Sequence, residues 1–196
     1  MPLPASIARK ELHRRSIEVR GYARDDGLYE IEAHLVDTKA NTWHRDDGKT
    51  LPPGAPVHDM WIRLTVDESL EVRDVIACID AAPHEVCPEA AAVLSGLKGL
   101  RIAGGWTMKV KELLGGARGC THLAELLGPA ATTAYQTLGP IRHARPDVRD
   151  GAGKPVKIDS CFAYASSREV VRRRWPAFYT GNETDADQKP SRRAED

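Results

Sequence analysis

A cysteine and a histidine lie two residues apart in the segment GARGCTHLAELLGPAATTAYQTL, where the sequence predicts the start of a helix. The free N–H groups and the dipole at a helix N-terminus favour the thiolate form of Cys120, which would serve as a nucleophile or a metal ligand. The other interpretation is that Cys120 is a small apolar residue of the core. His122 lies about 200° further around a regular helix, so the two side chains meet at one ion only if the first turn is irregular. Cys87, before the predicted helix PEAAAV, has the same two interpretations.

Two further histidines each have a carboxylate close by in the sequence. Glu32 and His34 alternate along a predicted strand, so both lie on one face of it, about 7 Å apart. His58 and Asp59 follow a loop rich in Pro and Gly and lead into another predicted strand. Such pairs suit acid–base catalysis or metal binding. A solvated strand face and a surface turn are the alternative explanations.

Two β-hairpins and a long helix must position these residues. The first hairpin is predicted from HRRSIEVRGYARDDGLYEIEAHLVDT, in which apolar residues alternate on either side of an Asp-Gly turn, and the second from HDMWIRLTVDESLEVRDVIACID. Between Cys120 and Leu138 the apolar residues recur at steps of three and four, which predicts an amphipathic helix. We expect this helix to cover a core lined by Ile31, Ala33, Leu35, Ile62, Leu64 and Val66.

The patterns beyond this helix are weaker. GPIRHARPDVRDGAGKP predicts a linker, VKIDSCFAYASS a final strand, and REVVRRRWP a short basic helix or an extended arm. From about Gly181 the segment GNETDADQKPSRRAED is polar throughout, which predicts disorder. The sequence therefore predicts a single α+β domain over residues 1–180 and a disordered tail over residues 181–196.

Composition and charge exclude several classes of protein. The 196 residues include 28 Lys and Arg and 28 Asp and Glu, so no net field favours nucleic acid. No apolar run approaches the ~20 residues of a membrane helix, and the N-terminus lacks the apolar stretch of a signal peptide. We therefore expect a cytoplasmic protein that binds neither nucleic acid nor membrane. Its four cysteines are expected to be reduced, and they form no CxxC pair.

Four segments together resemble a known bacterial family. They are DGLYEIEAHLVDTK, GAPVHDMWIRLTVD, CIDAAPHEVCP and GGARGCTHLAELLGPAATTAYQTL, and the resemblance runs from about Arg14 to Trp175. The family is the one catalogued as domain of unknown function 2889, and GCTHLAELL is the most specific part of the match. The usual setting of the family implies the catabolism of aromatic or acyl compounds.

The stretch from Val57 to Tyr135 is also similar, more distantly, to NifU-type iron–sulfur scaffold proteins. Those proteins have a cysteine and an aspartate before a strand–turn–strand unit, a second cysteine before a helix, and a third at the start of a long C-terminal helix. Here a histidine stands at the first cysteine position. The resemblance implies that four residues converge at one end of the sheet: His58, Asp59, Cys87 and Cys120. Of these, His58, Cys87 and Cys120 would be the ligands of a metal ion.

These observations predict an α+β fold, an antiparallel sheet of two β-hairpins with helices packed on one face, as in NifU-type proteins. We expect one shared pocket, and its lining is predicted to be Glu32, His34, His58, Asp59, Cys87, Cys120 and His122. The cofactor is expected to be either none or a single Zn or Fe ion, which would polarise a substrate oxygen.

The preferred hypothesis is a lyase or hydrolase that acts on a small aromatic or acyl substrate. His58 or His34 would be the general base, Glu32 or Asp59 its orienting partner, and His122 a further proton-transfer group. The first rival hypothesis is a metal-binding or iron–sulfur scaffold protein without catalysis. The second is a non-catalytic interaction subunit that binds a partner through the basic RRRW segment. A homo-oligomer is compatible with each of these hypotheses.

The residues that follow Gly181 should be dispensable for folding, because they offer almost no apolar area to bury. Limited proteolysis should remove them and leave a core whose Tm stays within about 2 °C of that of the full chain. A Tm that falls by many degrees after trimming would show that this segment packs against the core.

Overall fold

Alternating apolar residues form a four-stranded antiparallel sheet in the computed structural model, which describes residues 3–181. The strands of the chain are β1 (His13–Ala23), β2 (Tyr29–Lys39), β3 (Trp43–His44), β4 (Thr50–Leu51), β5 (Pro56–Val66) and β6 (Val72–Ala81). The main sheet has the order β1-β2-β5-β6, so each of the two predicted hairpins is present and they join through β2 and β5. Strands β3 and β4 form a small separate sheet within the segment predicted as a loop.

Helices follow the strands in the chain order. They are a 3₁₀ helix over Cys87–Leu97, α1 (Trp106–Leu114), α2 (Thr121–Thr137), α3 (Gly139–Ala144) and α4 (Glu169–Arg174), with short 3₁₀ turns at Gly116–Arg118, Phe162–Tyr164 and Pro176–Phe178. The predicted α+β fold, with an antiparallel sheet of two hairpins and helices on one face, is confirmed.

The core lies between the sheet and α2. The six residues predicted to line it are buried, and they belong to one apolar cluster with six side chains of α2: Leu123, Leu126, Leu127, Ala130, Ala131 and Ala134. The Trp106 indole N–H donates a hydrogen bond to the carbonyl of Leu127 at 3.1 Å, which ties α1 to the middle of α2. The apolar periods of two and of about 3.6 residues therefore predicted the packing correctly.

Gly21 allows α2 to approach β1 closely. A Cβ atom at this position would lie 1.8 Å from the Thr137 hydroxyl oxygen, so only glycine fits there without displacement of the Thr137 side chain. At the other end of the same helix, Glu125 pairs with Arg15 of β1. The first edge strand is therefore held beneath α2 along its length, which positions the start of α2 over the end of the sheet.

The contacts divide the chain into two compact units, and the boundary in the sequence falls between Gly139 and Pro140. The prediction of a single domain over residues 1–180 stays a prediction, and the units are described separately. The second unit has a small core of Ile158, Val171 and Trp175. The Trp175 indole N–H donates to Asp147 at 2.8 Å, so the tryptophan of the basic RRRW segment is buried within this unit.

The prediction of a strand over VKIDSCFAYASS is wrong. Asp159 has a positive φ of 64°, which breaks an extended run, and its carboxylate accepts the N–H of Ser166 in a turn. The segment predicted as a linker contains the short helix α3 at its start, and REVVRRRWP forms α4. The predicted tail lies outside the described residues from residue 182 onward. Within residues 3–181, none of the helices combines the length and the apolar character that a membrane crossing requires.

Replacement of Leu127 by Ala should lower the free energy of unfolding by about 2–5 kcal/mol, because it leaves a cavity between α2 and the sheet. Urea unfolding of both proteins measures this difference. Gln136→Ala is the matched control, since Gln136 is exposed on the same helix, and it should change stability by less than about 0.5 kcal/mol. Equal effects of the two substitutions would contradict the packing of α2 on the sheet.

Candidate functional site

A buried carboxylate, Asp37, lies at the end of β2 on the face covered by α2. Its side chain is 1% exposed, and it continues the row of inward-facing residues on this strand. Arg15 binds it through two hydrogen bonds, from Nε to Oδ1 at 2.8 Å and from Nη2 to Oδ2 at 2.7 Å. His58 Nδ1 lies 2.9 Å from Oδ2, and His13 Nε2 lies 3.2 Å from Oδ1. These four contacts use all the lone-pair positions of a carboxylate.

The sheet register places the groups around Asp37. Arg15 is directly opposite Asp37 in the pairing of β1 with β2, and His58 is directly opposite it in the pairing of β2 with β5. Side chains that face one another in adjacent strands lie on the same side of the sheet. Residues of three neighbouring strands therefore bring a guanidinium and an imidazole to one carboxylate, and no loop residue takes part in these contacts.

The two histidines and the cysteine of the site meet at the start of α2. The imidazole of His122 packs against that of His58 with 3.8 Å between ring centroids and 31° between ring planes. His122 Nδ1 lies 3.9 Å from Cys120 Sγ, within hydrogen-bonding range for sulfur. Cys120 has an extended backbone (φ −90°, ψ 127°) as the residue that precedes the helix. Cys120 therefore lies outside the regular helix. This is the irregular start of the helix that the sequence-based prediction required for the side chains of Cys120 and His122 to meet.

Charge and burial set the protonation of this cluster. Burial opposes ionisation of Asp37, but the bonds from Arg15 and His58 outweigh it and lower the pKa of the carboxyl to about 2. Burial lowers the pKa of His58, and the nearby His122 lowers it further, against the attraction of Asp37. Burial and then the positive charge of Arg15 lower the pKa of His122. Both imidazoles are therefore neutral at pH 7.

The tautomer of His58 follows from these charges. An ionised carboxylate only accepts hydrogen bonds, so the Nδ1 of His58 carries the hydrogen and donates it to Asp37. In the neutral ring the lone pair is then on Nε2. The His58 side chain is 12% exposed, so part of it is accessible to solvent.

Three of the predicted site residues lie on the opposite face of the sheet. His34 Nε2 is 2.7 Å from Asp59 Oδ1, and the His34 ring stacks on Trp61 with 3.6 Å between centroids and 9° between planes. Glu32 is paired with Arg63. In β2, Glu32 and His34 alternate with the buried row that ends at Asp37, and in β5 Asp59 is the neighbour of the inward-facing His58. The sheet therefore separates all three from His58. The prediction of one shared pocket is therefore wrong, because neighbouring residues in a strand point to opposite faces.

Cys87 does not join the site either. It begins the 3₁₀ helix that packs against β6, on the far side of the sheet order from β1. Among residues 3–181, the grouping of three side chains with ligand atoms within 4.8 Å of one another consists of Asp37, His58 and His122. The metal ligands inferred from the NifU resemblance thus differ from the grouping that the fold produces, although Cys120 lies beside it.

The direction of the rings opposes a shared metal ion. An ion bound by both imidazoles must lie in both ring planes, about 2.0–2.1 Å from one nitrogen of each. The planes of His58 and His122 are inclined by only 31° at a centroid distance of 3.8 Å. The two planes therefore intersect well beyond the distance at which a metal ion binds an imidazole nitrogen. Both oxygens of Asp37 are also bound to Arg15. The cluster as it stands suits proton transfer, and a metal ion would require the rings to rotate.

Sequence reasoning missed Asp37 and Arg15, the residues that organise the site. A signal was present, because Asp37 continues the alternating row of Ile31, Ala33 and Leu35 on the buried face of β2. An acidic residue in such a row must find a partner inside the protein. The partner could not be identified from sequence, since the register that sets Arg15 opposite Asp37 is a property of the paired strands.

Asp37 should make stability depend on pH in the acid range. Its pKa is lowered from about 3.8 to about 2 by folding, so its contribution is complete above about pH 4 and is lost as the pH falls towards 2. Asp37→Asn should cost roughly 2–3 kcal/mol at pH 6, measured by urea unfolding, and clearly less at pH 2. A cost that does not change between these pH values would contradict an ionised, paired Asp37.

The comparisons with known proteins agree with the first of the two sequence resemblances. No curated protein and no solved structure shows significant similarity to the chain. The sequence profile described as "Protein of unknown function (DUF2889)" matches residues 13–136, which include the whole sheet, all the clustered residues around Asp37 and nearly all of α2. Since this match spans more than half of its length, the chain belongs to the DUF2889 family.

Proposed function

We propose that this protein is a lyase or hydrolase that acts on a small aromatic or acyl substrate by acid–base chemistry, with His58 as the general base. The observation that carries the proposal is the pair formed by His58 and the buried Asp37, at 2.9 Å, which leaves Nε2 of a neutral imidazole unprotonated. A base that is unprotonated at neutral pH and fixed in one tautomer is what proton abstraction requires.

In this proposal each residue of the cluster has a separate role. His58 Nε2 takes a proton from a water molecule in a hydrolase, or from the substrate in a lyase. The Asp37 carboxylate, held by Arg15, stabilises the imidazolium that forms and keeps the ring oriented. Once protonated, His58 returns this proton to the leaving group or the product, and His122 packs against its ring. Cys120 lies next to His122 and helps to orient that ring through the contact of its Sγ with Nδ1.

The start of α2 supports an acyl or carboxylate group as part of the substrate. The first backbone hydrogen bond of this helix runs from the N–H of Ala124 to the carbonyl of Cys120. The N–H groups of the three preceding residues have no acceptor within the helix, and the helix dipole favours negative charge beside them. A developing oxyanion or a carboxylate near His122 would therefore be stabilised there.

The pair His34 and Asp59 on the opposite face is the competing acid–base centre. His34 Nε2 and Asp59 Oδ1 are only 2.7 Å apart, but Asp59 is not buried. The contact also engages Nε2 of His34. We place the chemistry at His58 because its partner is fully buried and is fixed by a guanidinium. The finer sequence expectations, namely a bacterial cytoplasmic protein and a relation to NifU-type scaffolds, remain part of this proposal.

His58→Ala should reduce kcat/KM by a factor of roughly 10² to 10⁴, because it removes the general base. Hydrolysis of p-nitrophenyl acetate, followed by single-turnover assays with aromatic esters, is the first measurement. His34→Ala is the matched control, since it removes an imidazole bonded to a carboxylate on the other face, and it should leave the rate within about threefold. If His34→Ala abolishes turnover and His58→Ala does not, the chemistry belongs to the opposite face.

The pH profile of kcat/KM should identify the base. The unprotonated form of His58 is the active one and its pKa is lowered, so the acid limb should have its midpoint below the usual histidine value of about 6.5. Asp37→Asn removes the charge that raises this pKa, so the midpoint of the variant should move further down. A midpoint at or above 6.5 in the wild type would contradict the assignment.

A metal-binding or scaffold role is the second candidate, since Asp37, His58 and His122 have ligand atoms within 4.8 Å of one another. Elemental analysis of protein purified without chelator or affinity tag tests it. Near-stoichiometric Zn or Fe that is lost in both His58→Ala and His122→Ala would favour this role. Turnover that persists after treatment with a chelator would favour acid–base catalysis without metal.

A further inference from the structure

The edge strand β1 is long, regular and uncovered on its outer side. It extends over eleven residues, contains no proline, and pairs with β2 without any register shift. Within the part of the chain that the structure describes, β2 is the one strand that pairs with it. Proteins usually shorten, bend or cover such an edge, because its free backbone groups pair readily with another strand.

The backbone groups that face outward can be identified from the hydrogen bonds that flank the strand. The N–H of Ala40 donates to the carbonyl of Leu12, and the N–H of Arg24 donates to the carbonyl of Leu28. Because bonding alternates along an antiparallel pair, the even-numbered residues of β1 bond to β2. The odd-numbered residues, from Arg15 to Ala23, therefore direct their N–H and carbonyl groups away from the sheet.

We propose that β1 is the interface of a homodimer, in which a second copy of this chain pairs its own β1 antiparallel to the first. The two four-stranded sheets would then form one continuous sheet. This inference goes beyond the proposed function and does not depend on it.

The charges of the strand select one register. Glu18 and Arg20 lie two residues apart on the face opposite α2. A pairing centred on Val19 sets Glu18 opposite the partner's Arg20 twice, once on each side of the two-fold axis. Centring on Glu18 or on Arg20 would instead oppose two like charges, and centring on Ile17 would oppose Arg14 to the partner's Arg20. Opposite charges at directly facing positions stabilise a strand pair, and like charges destabilise it.

The same register also covers apolar side chains that are exposed in the single chain. Ile17 is 36% exposed and Tyr22 is 40% exposed, although both lie within a strand. In the proposed register Val19 faces the partner's Val19, Ile17 faces the partner's Gly21, and Tyr22 faces the partner's Ser16. The odd-numbered residues with outward backbone groups face one another, so the ladder of hydrogen bonds is complete.

The other edge of the sheet lacks these properties. Strand β6 pairs with β5 through two register shifts, near Asp59 and near Thr65, and the 3₁₀ helix over Cys87–Leu97 packs against it. Irregular pairing and a covering helix are the usual protections of an edge strand. An uncovered edge whose charges complement themselves favours a second copy of the chain as the partner. Glu18 and Arg20 form an ion pair within one strand, and in the symmetric register each of them also faces an opposite charge of the second copy.

Charge reversal tests the interface and its register. Analytical ultracentrifugation over a concentration series should show that the wild type is a dimer. Glu18→Arg and Arg20→Glu should each weaken it by roughly tenfold or more, because two attractive pairs become two repulsive ones. The double variant E18R/R20E restores opposite charges at both positions, so its dissociation constant should return to within about threefold of the wild-type value.

Glu85→Arg is the matched control, since its side chain is 89% exposed in a loop outside the strands, and it should leave the dimer unchanged. Thermal unfolding of every variant shows that the fold is kept, as expected for exposed positions. A wild type that sediments as a monomer throughout would overturn the proposal. Single reversals that dimerise like the wild type, or a double variant as weak as the singles, would overturn it as well.

Discussion

Asp37 places a negative charge where the fold excludes water, and side chains of the two neighbouring strands compensate it. A buried, unpaired carboxylate is costly enough that it would take up a proton or unfold the region around it. Here Arg15 supplies a fork of two hydrogen bonds, and two imidazole nitrogens lie within 3.2 Å. The compensation comes from β1 and β5, the strands on either side of β2, so it requires the sheet to be paired in register.

This compensation also determines the chemistry that the cluster can perform. Because the Arg15 charge keeps Asp37 ionised, the carboxylate accepts the Nδ1 hydrogen of His58 and fixes one tautomer. Burial lowers the pKa of both imidazoles, and the neighbouring His122 lowers that of His58 further, as Arg15 does that of His122. Two uncharged rings can therefore pack together with 3.8 Å between their centroids. The lone pairs of the two imidazoles lie in their ring planes, and planes inclined by 31° at this centroid distance do not converge on one ion. Proximity of ligand types alone therefore does not define a metal site.

Strand β1 connects this cluster with the surface of the protein. On the face towards α2, β1 holds Arg15 against Asp37 and contacts the last turn of α2 at Gly21. Its opposite face presents Glu18 and Arg20. A strand that must deliver an arginine to a buried acid cannot be shortened or twisted away from the sheet without loss of that bond. The length and regularity of the edge are thus consistent with its role in the core, and they leave its outer backbone groups available for pairing.

The sequence by itself determined the local elements of the sheet unit. Alternation over residues such as Ile31, Ala33 and Leu35, and the three- and four-residue steps of α2, predicted both hairpins, the long helix and the core between them, because these periods follow directly from strand and helix geometry. The sequence pattern of VKIDSCFAYASS predicted a strand wrongly, because the positive φ of Asp159 breaks the extended conformation there.

The composition of the site was decided by tertiary structure. The sequence-based prediction placed Glu32, His34 and Asp59 in one pocket with His58, but the faces of the strands separate them. Arg15 and Asp37 are 22 residues apart and meet through pairing of β1 with β2, and His122 reaches His58 because α2 begins above the start of β5. The type of a residue and its period along the chain are local properties and can be predicted. Which charges neutralise one another depends on strand register and on the placement of a helix, and these are fixed only when the whole core packs.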